Sequence, residues 1–538
     1  MAFVKRYFPF FISSFLFLLI STFLVFHSIS QNNGNFVYVL DDPYIHMAIA
    51  KNFSQFGVWG VDRYAFSPAS SSILWSLLIS FFYFFLGVND WIPLILNIIF
   101  ALLLLYAIFE FLSRLVKSNS LILFILLFVI FVTPFFLLVF TGQEHLLHTL
   151  ITLLFAYKTA MLVSNKSERN STGNNISPFD IVQMLFLSFL LVAIRYEGLF
   201  LLFIACVFLL IKKQYRLAIL LALCGVLPVL IFGFISIASG GYFLPNSVLL
   251  KGNLPNLSTF RGILKFLGGF AAYQMVLNPE ILLLFLVAIS LLFFGSRSKS
   301  DFYSFPNIFV SIFILTLLLH LQFAKVGWFY RYEAYLIFLG IFAIVQFIFL
   351  NLSQMKNALN PRKILLPFLL FALIALLAFR GYSTFKVILP ATKNIYEQQF
   401  QMGNYIKKYF NQSVVALNDI GYVNYIADIR CVDLWGLANF DVAKAKLNKI
   451  FDTRKISEIS KKYNVTIAIL YEIWFEQYGG LPKDWQLVEK WEIKNNVVCG
   501  DKVVSFFAVD LSQTEKLKQS LKEFRTRLPK DVKVFTFE

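Results

Sequence analysis

FPFFISSFLFLLISTFLVFHSI, residues 8–29, follows the basic pair Lys5-Arg6 and contains no Asp, Glu, Lys or Arg. A run of about 20 apolar residues is what an α-helix needs to cross the hydrocarbon core of a bilayer. The run has no small-residue cleavage site, so we interpret it as a retained membrane helix and not as a signal peptide. Lys5 and Arg6 place its N-terminal end on the inner side, because Lys and Arg collect in inner loops.

The composition of the whole chain agrees with a membrane protein. Of 538 residues, 59% are hydrophobic and 14% are charged, and the mean hydropathy is +0.72. A soluble globular enzyme and a disordered chain are excluded, and four cysteines are too few for a disulfide framework. Residues 1–380 carry 36 charges, whereas residues 381–538 carry 41. We therefore predict a membrane domain over 1–380 and a soluble domain over 381–538.

About 11 spanning helices are predicted from the apolar runs. These runs cover residues 8–29, 72–88, 91–113, 143–163, 176–194, 197–211, 217–238, 280–295, 304–323, 333–352 and 364–380. The segment 119–140 is broken by Thr133-Pro134 into two pieces that are each too short to span. We interpret it as a re-entrant pair, which non-helical backbone allows only where it is buried in protein or lines a cavity.

Charge parity supports this topology. With the N-terminus inside, the inner loops contain Lys5/Arg6, Lys166/Arg169, Lys212/Lys213/Arg216, Arg297/Lys299 and Lys356/Arg362/Lys363. The outer face then receives residues 31–71, 114–118, 141–142, 195–196, 239–279 and 324–332, and the whole tail. The net charge of +17 is explained by this positive-inside distribution, so no nucleic-acid partner is expected.

The tail is predicted to be a small α/β domain. Short β-rich runs occupy 414–417, 466–470 and 503–509, and the polar stretches 441–463 and 512–528 favour helix. Cys431 and Cys499 both lie in this outward domain, where a disulfide between them remains an open alternative.

Two aspartates begin the most informative motif, Asp41-Asp42-Pro43-Tyr44-Ile45-His46. Asp42 followed by Pro43 is typical of a helix start, so Asp42 is interpreted as an N-cap in the simplest reading. A cap needs only one aspartate, however. A carboxylate just outside the membrane could instead act as a general base on a hydroxyl or hold a divalent cation against a phosphate.

Four further polar motifs fall on the predicted outer face. They are Thr141-Gly142-Gln143-Glu144-His145, Arg195-Tyr196-Glu197-Gly198, Pro245-Asn246 with Lys251, and Arg331-Tyr332-Glu333. A capping box, a local ion pair and snorkelling cations are the structural alternatives for them. Arg and Lys are equally what a phosphate headgroup needs. There is no GxxxxGK[ST] and no GxGxxG before a helix in the tail, so no nucleotide is expected.

Together these motifs resemble the GT-C superfamily of polytopic glycosyltransferases, most closely the bacterial cell-envelope arabinofuranosyltransferase-like members. Those enzymes show an Asp-Asp-x-Tyr-Ile motif, a Thr-Gly-Met-Glu-like motif, an Arg-Pro-Glu-Gly-like motif, a Pro-Asn stretch before a Lys, and a late Arg-Tyr. The tail runs Asn418-Asp419-Ile420-Gly421 and Val432–Leu437 also look like their soluble domain. The departures are Gln143 for Met, Tyr196 for Pro and a short first loop.

The resemblance implies a site, a donor and a location. Its catalytic residues are Asp41, Asp42 and Glu144, its donor-phosphate residues are Arg331, Lys251 and Arg195, and its substrate-binding residues are Tyr44, His46, Glu197, Asn246 and Tyr332. Asp41 and Asp42 are also the candidate ligands of a divalent ion (Mg, Mn or Ca). The donor is a polyprenyl-phosphate sugar, and the acceptor is an envelope glycan, lipid or protein. The expected location is the bacterial inner membrane, with the site facing the periplasm or exterior. A glycolipid flippase or exporter is the alternative.

Overall fold

The structure is a computed structural model, and it describes residues 2–164, 177–252, 259–295, 303–351 and 365–538. A bundle of helices is followed by a sheet domain. The first half of the bundle contains α1 (Ala2–Gln31), α2 (Asp42–Phe56), α3 (Ile73–Leu86), α4 (Ile92–Leu115), α5 (Asn119–Val132), α6 (Phe135–Phe140), α7 (His145–Val163), α8 (Pro178–Ile194) and α9 (Gly198–Ile211). The second half contains α10 (Tyr215–Ala238), α11 (Asn246–Lys251), α12 (Phe260–Leu264), α13 (Phe270–Leu277), α14 (Pro279–Gly295), α15 (Phe305–Phe323), α16 (Ala334–Leu350) and α17 (Leu365–Glu397).

Several of these helices are long and apolar enough to cross a bilayer. Among the described residues there are six by length and composition, located in α1, α4, α7, α10, α15 and α17. The helices over 260–277 and 279–293 form a further pair that is bent by 112°. Shorter apolar helices complete the bundle. A multi-pass membrane domain is therefore confirmed, whereas the number of 11 spans stays a prediction.

The direction of α4 corrects the predicted topology. At its start, the backbone N–H of Leu94 donates to the Tyr38 hydroxyl at 3.0 Å, close to the chain that leaves α1. At its end, Glu110 lies 3.8 Å from Arg6 and accepts a hydrogen bond from Tyr7 at 3.3 Å. The loop 114–118 therefore lies at the same end of the bundle as Arg6, and its predicted place on the outer face is wrong.

The segment 119–140 then crosses the bundle once instead of re-entering. It begins beside the end of α4, and Phe135 and Phe136 pack against Phe17 in the middle of α1. Phe140 ends the segment, and its carbonyl accepts a hydrogen bond from Val39 at 3.1 Å, at the other end of the bundle. The predicted break at Thr133-Pro134 is present, but it only kinks a crossing, as proline does inside a helix.

Helix α3 was predicted to span and does not. Ser76, in its first turn, contacts His46 of α2, and the loop after the helix contains Asp90, whose carbonyl accepts a hydrogen bond from Tyr38 at 2.6 Å. Both ends of α3 are therefore held at the end of the bundle that carries residues 38–46. Its buried face packs on α2, whereas Phe81, Phe84 and Phe85 are exposed, as expected for a helix lying in the membrane interface.

The two corrections cancel for the rest of the chain. Removing a crossing at 73–86 and adding one at 119–140 leaves residues 141–144, 195–197, 239–249 and 324–333 on the predicted side. Of the predicted inner loops, Lys212 lies at the end opposite to these residues, stacked on Tyr303 at 3.9 Å. The loops with Lys166/Arg169, Arg297/Lys299 and Lys356/Arg362/Lys363 lie outside the described residues.

The tail is a small α/β domain, as predicted. It contains α18 (Gln399–Tyr409), β1 (Val414–Leu417), α19 (Tyr422–Ile426), β2 (Arg430–Asp433), α20 (Phe440–Leu447), α21 (Thr453–Lys462), β3 (Ile467–Leu470), β4 (Gln486–Glu492), β5 (Val503–Ala508), α22 (Thr514–Phe524) and β6 (Lys533–Thr536). The six strands have the order β2-β1-β3-β5-β4-β6. The pairs β1–β2 and β1–β3 are parallel and the others antiparallel.

The boundary between the two parts falls inside a helix. Helix α17 continues past the predicted boundary at residue 380 as far as Glu397. A continuous helix, and not a flexible linker, therefore connects the bundle to the sheet domain. Cys431 and Cys499 are free thiols. Asn424 donates to the Cys431 sulfur, and the Cys499 thiol donates to Gln399.

Candidate active site

Helix α2 places two predicted site residues on one face. The helix begins at Asp42, so Asp41 and not Asp42 occupies the cap position, and the Asp41 side chain makes no capping hydrogen bond. Asp42 and His46 are one helical turn apart, and both line a cavity of about 270 Å³. The interpretation of Asp42 as an N-cap is therefore wrong, and its carboxylate is available for other contacts.

Arg331 is the ionic partner of Asp42. Its side chain is only 2% exposed. It donates to the Asp42 carboxylate and to the Gln143 side chain, and it donates to the Tyr332 hydroxyl at 3.3 Å. The Arg331 Nε has no hydrogen-bond partner among the described residues. A buried guanidinium with an unused donor is suited to bind an anion.

The backbone before Arg331 is strained. Trp328, Phe329 and Tyr330 have φ angles of 37°, 60° and 60°, in the left-handed region that bulky residues rarely adopt. Arg380 holds this turn, because it donates to the Tyr330 carbonyl at 3.0 Å and to Glu333 at 2.8 Å. Strain of this kind is found where a side chain must be placed precisely for function.

Arg195 also lines the cavity and is already paired twice. It donates to Glu144 at 2.6 Å, and it holds both carboxylate oxygens of Glu197 at 2.6 and 3.2 Å. The second oxygen of Glu144 faces His46 at 3.9 Å. Glu144 is fully buried behind the cavity wall. With two carboxylates on its guanidinium, Arg195 is suited to position Glu144 and Glu197.

Six of the predicted residues thus share the first cavity: Asp42, His46, Arg195, Glu197, Arg331 and Tyr332. Leu199, Phe200 and Phe323 form its apolar side, and Gln143 and Lys325 are two polar lining residues that the sequence reading did not assign to the site. Gln143 was visible only as a departure from the family motif. Lys325 gave no signal, because it belongs to none of the motifs.

Three further predicted residues do not line the first cavity. Asp41 accepts hydrogen bonds from the backbone of Gly421 at 2.6 Å and Tyr422 at 2.8 Å, in the tail. The Tyr44 hydroxyl accepts from the backbone of Tyr38, and Asn246 donates to the Gly436 carbonyl at 3.1 Å. These three residues join chain segments. The side chain of Lys251 lies outside the described residues.

The predicted divalent ion does not fit this arrangement. Asp42 faces a guanidinium, and both Asp41 oxygens accept backbone N–H groups. In the described part of the chain no three His, Cys, Asp or Glu side chains converge to hold a metal ion.

A second cavity, of about 560 Å³, adjoins the first and is mainly lined by the tail. Asp42, Ile45, Lys325, Tyr332 and Leu437 belong to both cavities. Asp419 also lines the second one and accepts hydrogen bonds from Gln399 at 2.8 Å and Tyr471 at 3.0 Å. Burial raises the pKa of Asp419 to about 6 and raises the pKa of Asp41 as well.

Comparisons with known proteins identify similar folds at a distance. A family model described only as a domain of unknown function, DUF8728, matches residues 393–507, and no curated protein matches. The solved structures that resemble the chain include ArnT from Cupriavidus metallidurans bound to undecaprenyl phosphate (14% identity, 92% of this chain and 98% of that chain, TM-score 0.44). Another is the archaeal oligosaccharyltransferase AglB from Archaeoglobus fulgidus with an inhibitory peptide and a dolichol-phosphate (12%, 87% and 70%, 0.44). Because these TM-scores are below 0.5, the likeness decides nothing about chemistry.

Proposed function

We propose that this chain is a membrane glycosyltransferase of the GT-C type, which transfers a sugar from a polyprenyl-phosphate donor to an acceptor hydroxyl on the outer side of the bilayer. The observation that carries the proposal is the ion pair of the buried Arg331 with the partly exposed Asp42 in the wall of the first cavity. One member can bind a phosphate and the other can take a proton from a hydroxyl. The GT-C superfamily is inferred from the sequence motifs, which occur in the same order as in those enzymes.

The cavity has a side for each part of such a donor. Leu199 and Phe200 of α9 and Phe323 of α15 are apolar lining residues that suit the prenyl chain, while Arg331 and the exposed Lys325 supply positive charge for the phosphate. Lys251 stays a candidate for the same role. Arg195 is assigned to the positioning of Glu144 and Glu197, because its guanidinium is already shared between them.

The transfer step needs no energy source beyond the donor itself. A phosphate that enters the cavity competes with Asp42 for the Arg331 guanidinium. Asp42, released from the pair, takes the proton of the acceptor hydroxyl. The acceptor oxygen forms a bond to the anomeric carbon, and the bond from that carbon to the phosphate oxygen breaks. The electron pair leaves with the polyprenyl phosphate, whose growing charge Arg331 stabilises in a low-dielectric site.

The test is sugar transfer by the purified full chain in proteoliposomes. Radiolabelled short-chain polyprenyl-phosphate sugars are offered singly, with and without an envelope extract as acceptor, and release of polyprenyl phosphate is measured beside the labelled product. Lipid scrambling is followed in the same vesicles. Scrambling without any sugar transfer would identify the flippase alternative. Loss of turnover in EDTA would support the divalent-cation alternative.

A further inference from the structure

The second cavity, here called the interdomain cavity, has an aromatic wall. The rings of Trp435 and Trp474 lie with their centroids 4.6 Å apart at an angle of 54°, and Tyr478 continues the wall. All three side chains are partly exposed. Aromatic faces of this kind pack against the C–H faces of sugar rings, whose hydroxyls stay free for polar partners.

The loop that carries Trp435 is fixed in place. The carboxylate of Asp433 is fully buried and accepts hydrogen bonds from the backbone of Trp435 and of Ala438, both at 2.7 Å. Lys446 lies over the Trp435 ring, 3.4 Å from its centroid, and donates to its carbonyl at 3.0 Å. A rigid aromatic surface binds with little loss of conformational entropy.

A buried polar group in the same cavity has no partner. Asn418 is 4% exposed, and its side-chain oxygen accepts from the backbone of Tyr471 at 3.1 Å. Its side-chain Nδ2 has no hydrogen-bond partner among the described residues. An unsatisfied buried donor is destabilising by about 1–3 kcal/mol, so its place in the lining indicates an acceptor group on a ligand.

The interdomain cavity also opens onto the proposed base. Asp42 and Tyr332 line both cavities, so a molecule held against Trp435 can extend a hydroxyl toward Asp42. The cavity lies on the side of the tail, away from the apolar side of the first cavity. Its position suits a polar ligand that arrives from outside the bilayer.

We propose that the interdomain cavity is the acceptor site and that the acceptor is a carbohydrate chain, packed against the exposed parts of Trp435 and Trp474 and hydrogen-bonded by Asn418. This inference rests on the proposed function, which left glycan, lipid and protein acceptors open. The tryptophan pair and the unpartnered amide favour a sugar over a peptide or a lipid headgroup.

Binding to the full chain in nanodiscs tests the inference by saturation-transfer NMR. The probes are maltotriose, chitotriose, arabinotriose and a Ser/Gly hexapeptide. We expect at least one trisaccharide to bind, and both Trp435→Ala and Trp474→Ala to weaken it about 30-fold, as truncation of a buried aromatic anchor does. Trp435→Phe keeps a ring and should retain most of the affinity. Trp91→Ala, at an exposed tryptophan outside both cavities, is the matched control.

Donor turnover without acceptor separates this inference from the proposed function. Release of polyprenyl phosphate to water is measured in the wild type and in Trp91→Ala, and it should be equal in the two. Binding of the hexapeptide alone, no trisaccharide binding, or equal trisaccharide affinity in the wild type and both alanine variants would overturn the carbohydrate site. Trisaccharide binding by a chain that never cleaves a donor would contradict the proposed function and leave the carbohydrate site standing.

Discussion

Asp41 and Asp42 are neighbours in the chain with different surroundings. Asp42 lies in the wall that the two cavities share and pairs with Arg331, whereas the Asp41 carboxylate accepts hydrogen bonds from two backbone N–H groups of the tail. Gly421 is required at that contact, because a Cβ there would meet the Asp41 backbone and carboxylate. Under the proposed function, the doubled aspartate combines one residue for chemistry with one that contacts the tail.

Asparagine substitutions should separate these two roles. Asp42→Asn removes the proposed base, and we expect kcat to fall about 100-fold. Asp41→Asn can accept only one of the two N–H groups, so it should lower the free energy of unfolding by about 1–3 kcal/mol and change kcat much less. Steady-state kinetics and thermal unfolding of each variant measure both effects. Equal loss of turnover in the two variants would contradict the division of roles.

Arg331 should not tolerate lysine. Its guanidinium contacts Asp42, Gln143 and Tyr332 at once, and an ammonium cannot replace a planar fork. Loss of charge stabilisation that develops in the transition state is worth about 2.7–4 kcal/mol. We therefore expect Arg331→Lys to lower kcat about 100-fold with a much smaller change in the donor KM. If Arg331→Lys turns over as fast as the wild type, Arg331 has only a structural role.

Arg114→Lys is the matched control for that substitution. Arg114 lies at the opposite end of the bundle, and its side chain is 66% exposed. The charge of the chain and the type of substitution are the same in both variants, so only the position differs. Kinetics with a synthetic short-chain donor in detergent compare the two.

At the level of elements, hydropathy could not distinguish a helix that spans from one that lies in the interface. Helix α3 and helix α5 have 14 residues each, and both are apolar. Tertiary contacts decide which of the two helices crosses the bilayer: α3 packs along α2, and the end of α4 reaches Arg6. Charge parity detected neither error, because the two errors compensate. Only the loops between α3 and the segment 119–140 are placed on the wrong side, and every later loop returns to its predicted side.

Cysteine labelling in a background without the four native cysteines tests this corrected topology. We expect Asn89→Cys, after α3, to react with a membrane-impermeant maleimide from outside. Lys117→Cys, after α4, should react only after permeabilisation. Both positions are exposed. The originally predicted spans give the reverse result at both sites, while Asn35→Cys and Gln214→Cys serve as outside and inside controls.

At the level of the whole molecule, the sequence predicted the two-part organisation and half of the strands. Strands β1, β3 and β5 are compact β-rich runs, whereas β2 and β4 contain charged residues and β6 is an exposed edge. The site was predictable as a set of motifs on one face. Its pairings were not, because Gln143 and Asp42 are 188 and 289 positions from Arg331 in the chain. The contribution of the tail to the interdomain cavity could not be predicted either, because Asn418, Trp435 and Trp474 come together only in the folded sheet domain.

The attachment of the tail to the bundle also has a pH-sensitive contact. The Lys51 ammonium in α2 donates to the backbone carbonyls of Asn424 at 3.2 Å and Tyr425 at 2.5 Å. Burial lowers the pKa of Lys51 to about 8, whereas an unfolded chain holds a lysine pKa near 10.4. Between these values the unfolded chain binds more protons than the folded one, so the free energy of unfolding rises with pH.

We therefore expect the contribution of Lys51 to stability to be lost as the pH falls through about 8, and to grow as the pH rises toward 10. Lys51→Met keeps the length of the side chain and removes the titrating group. The difference in unfolding temperature between wild type and Lys51→Met, measured on the full chain in detergent, should thus shift in favour of wild type from pH 7 to pH 9.5. Lys407→Met, at an exposed lysine of the same surface cleft, is measured beside it as a second lysine-to-methionine variant. A difference for Lys51→Met that stays the same from pH 7 to pH 9.5 would mean that folding does not lower the pKa of Lys51.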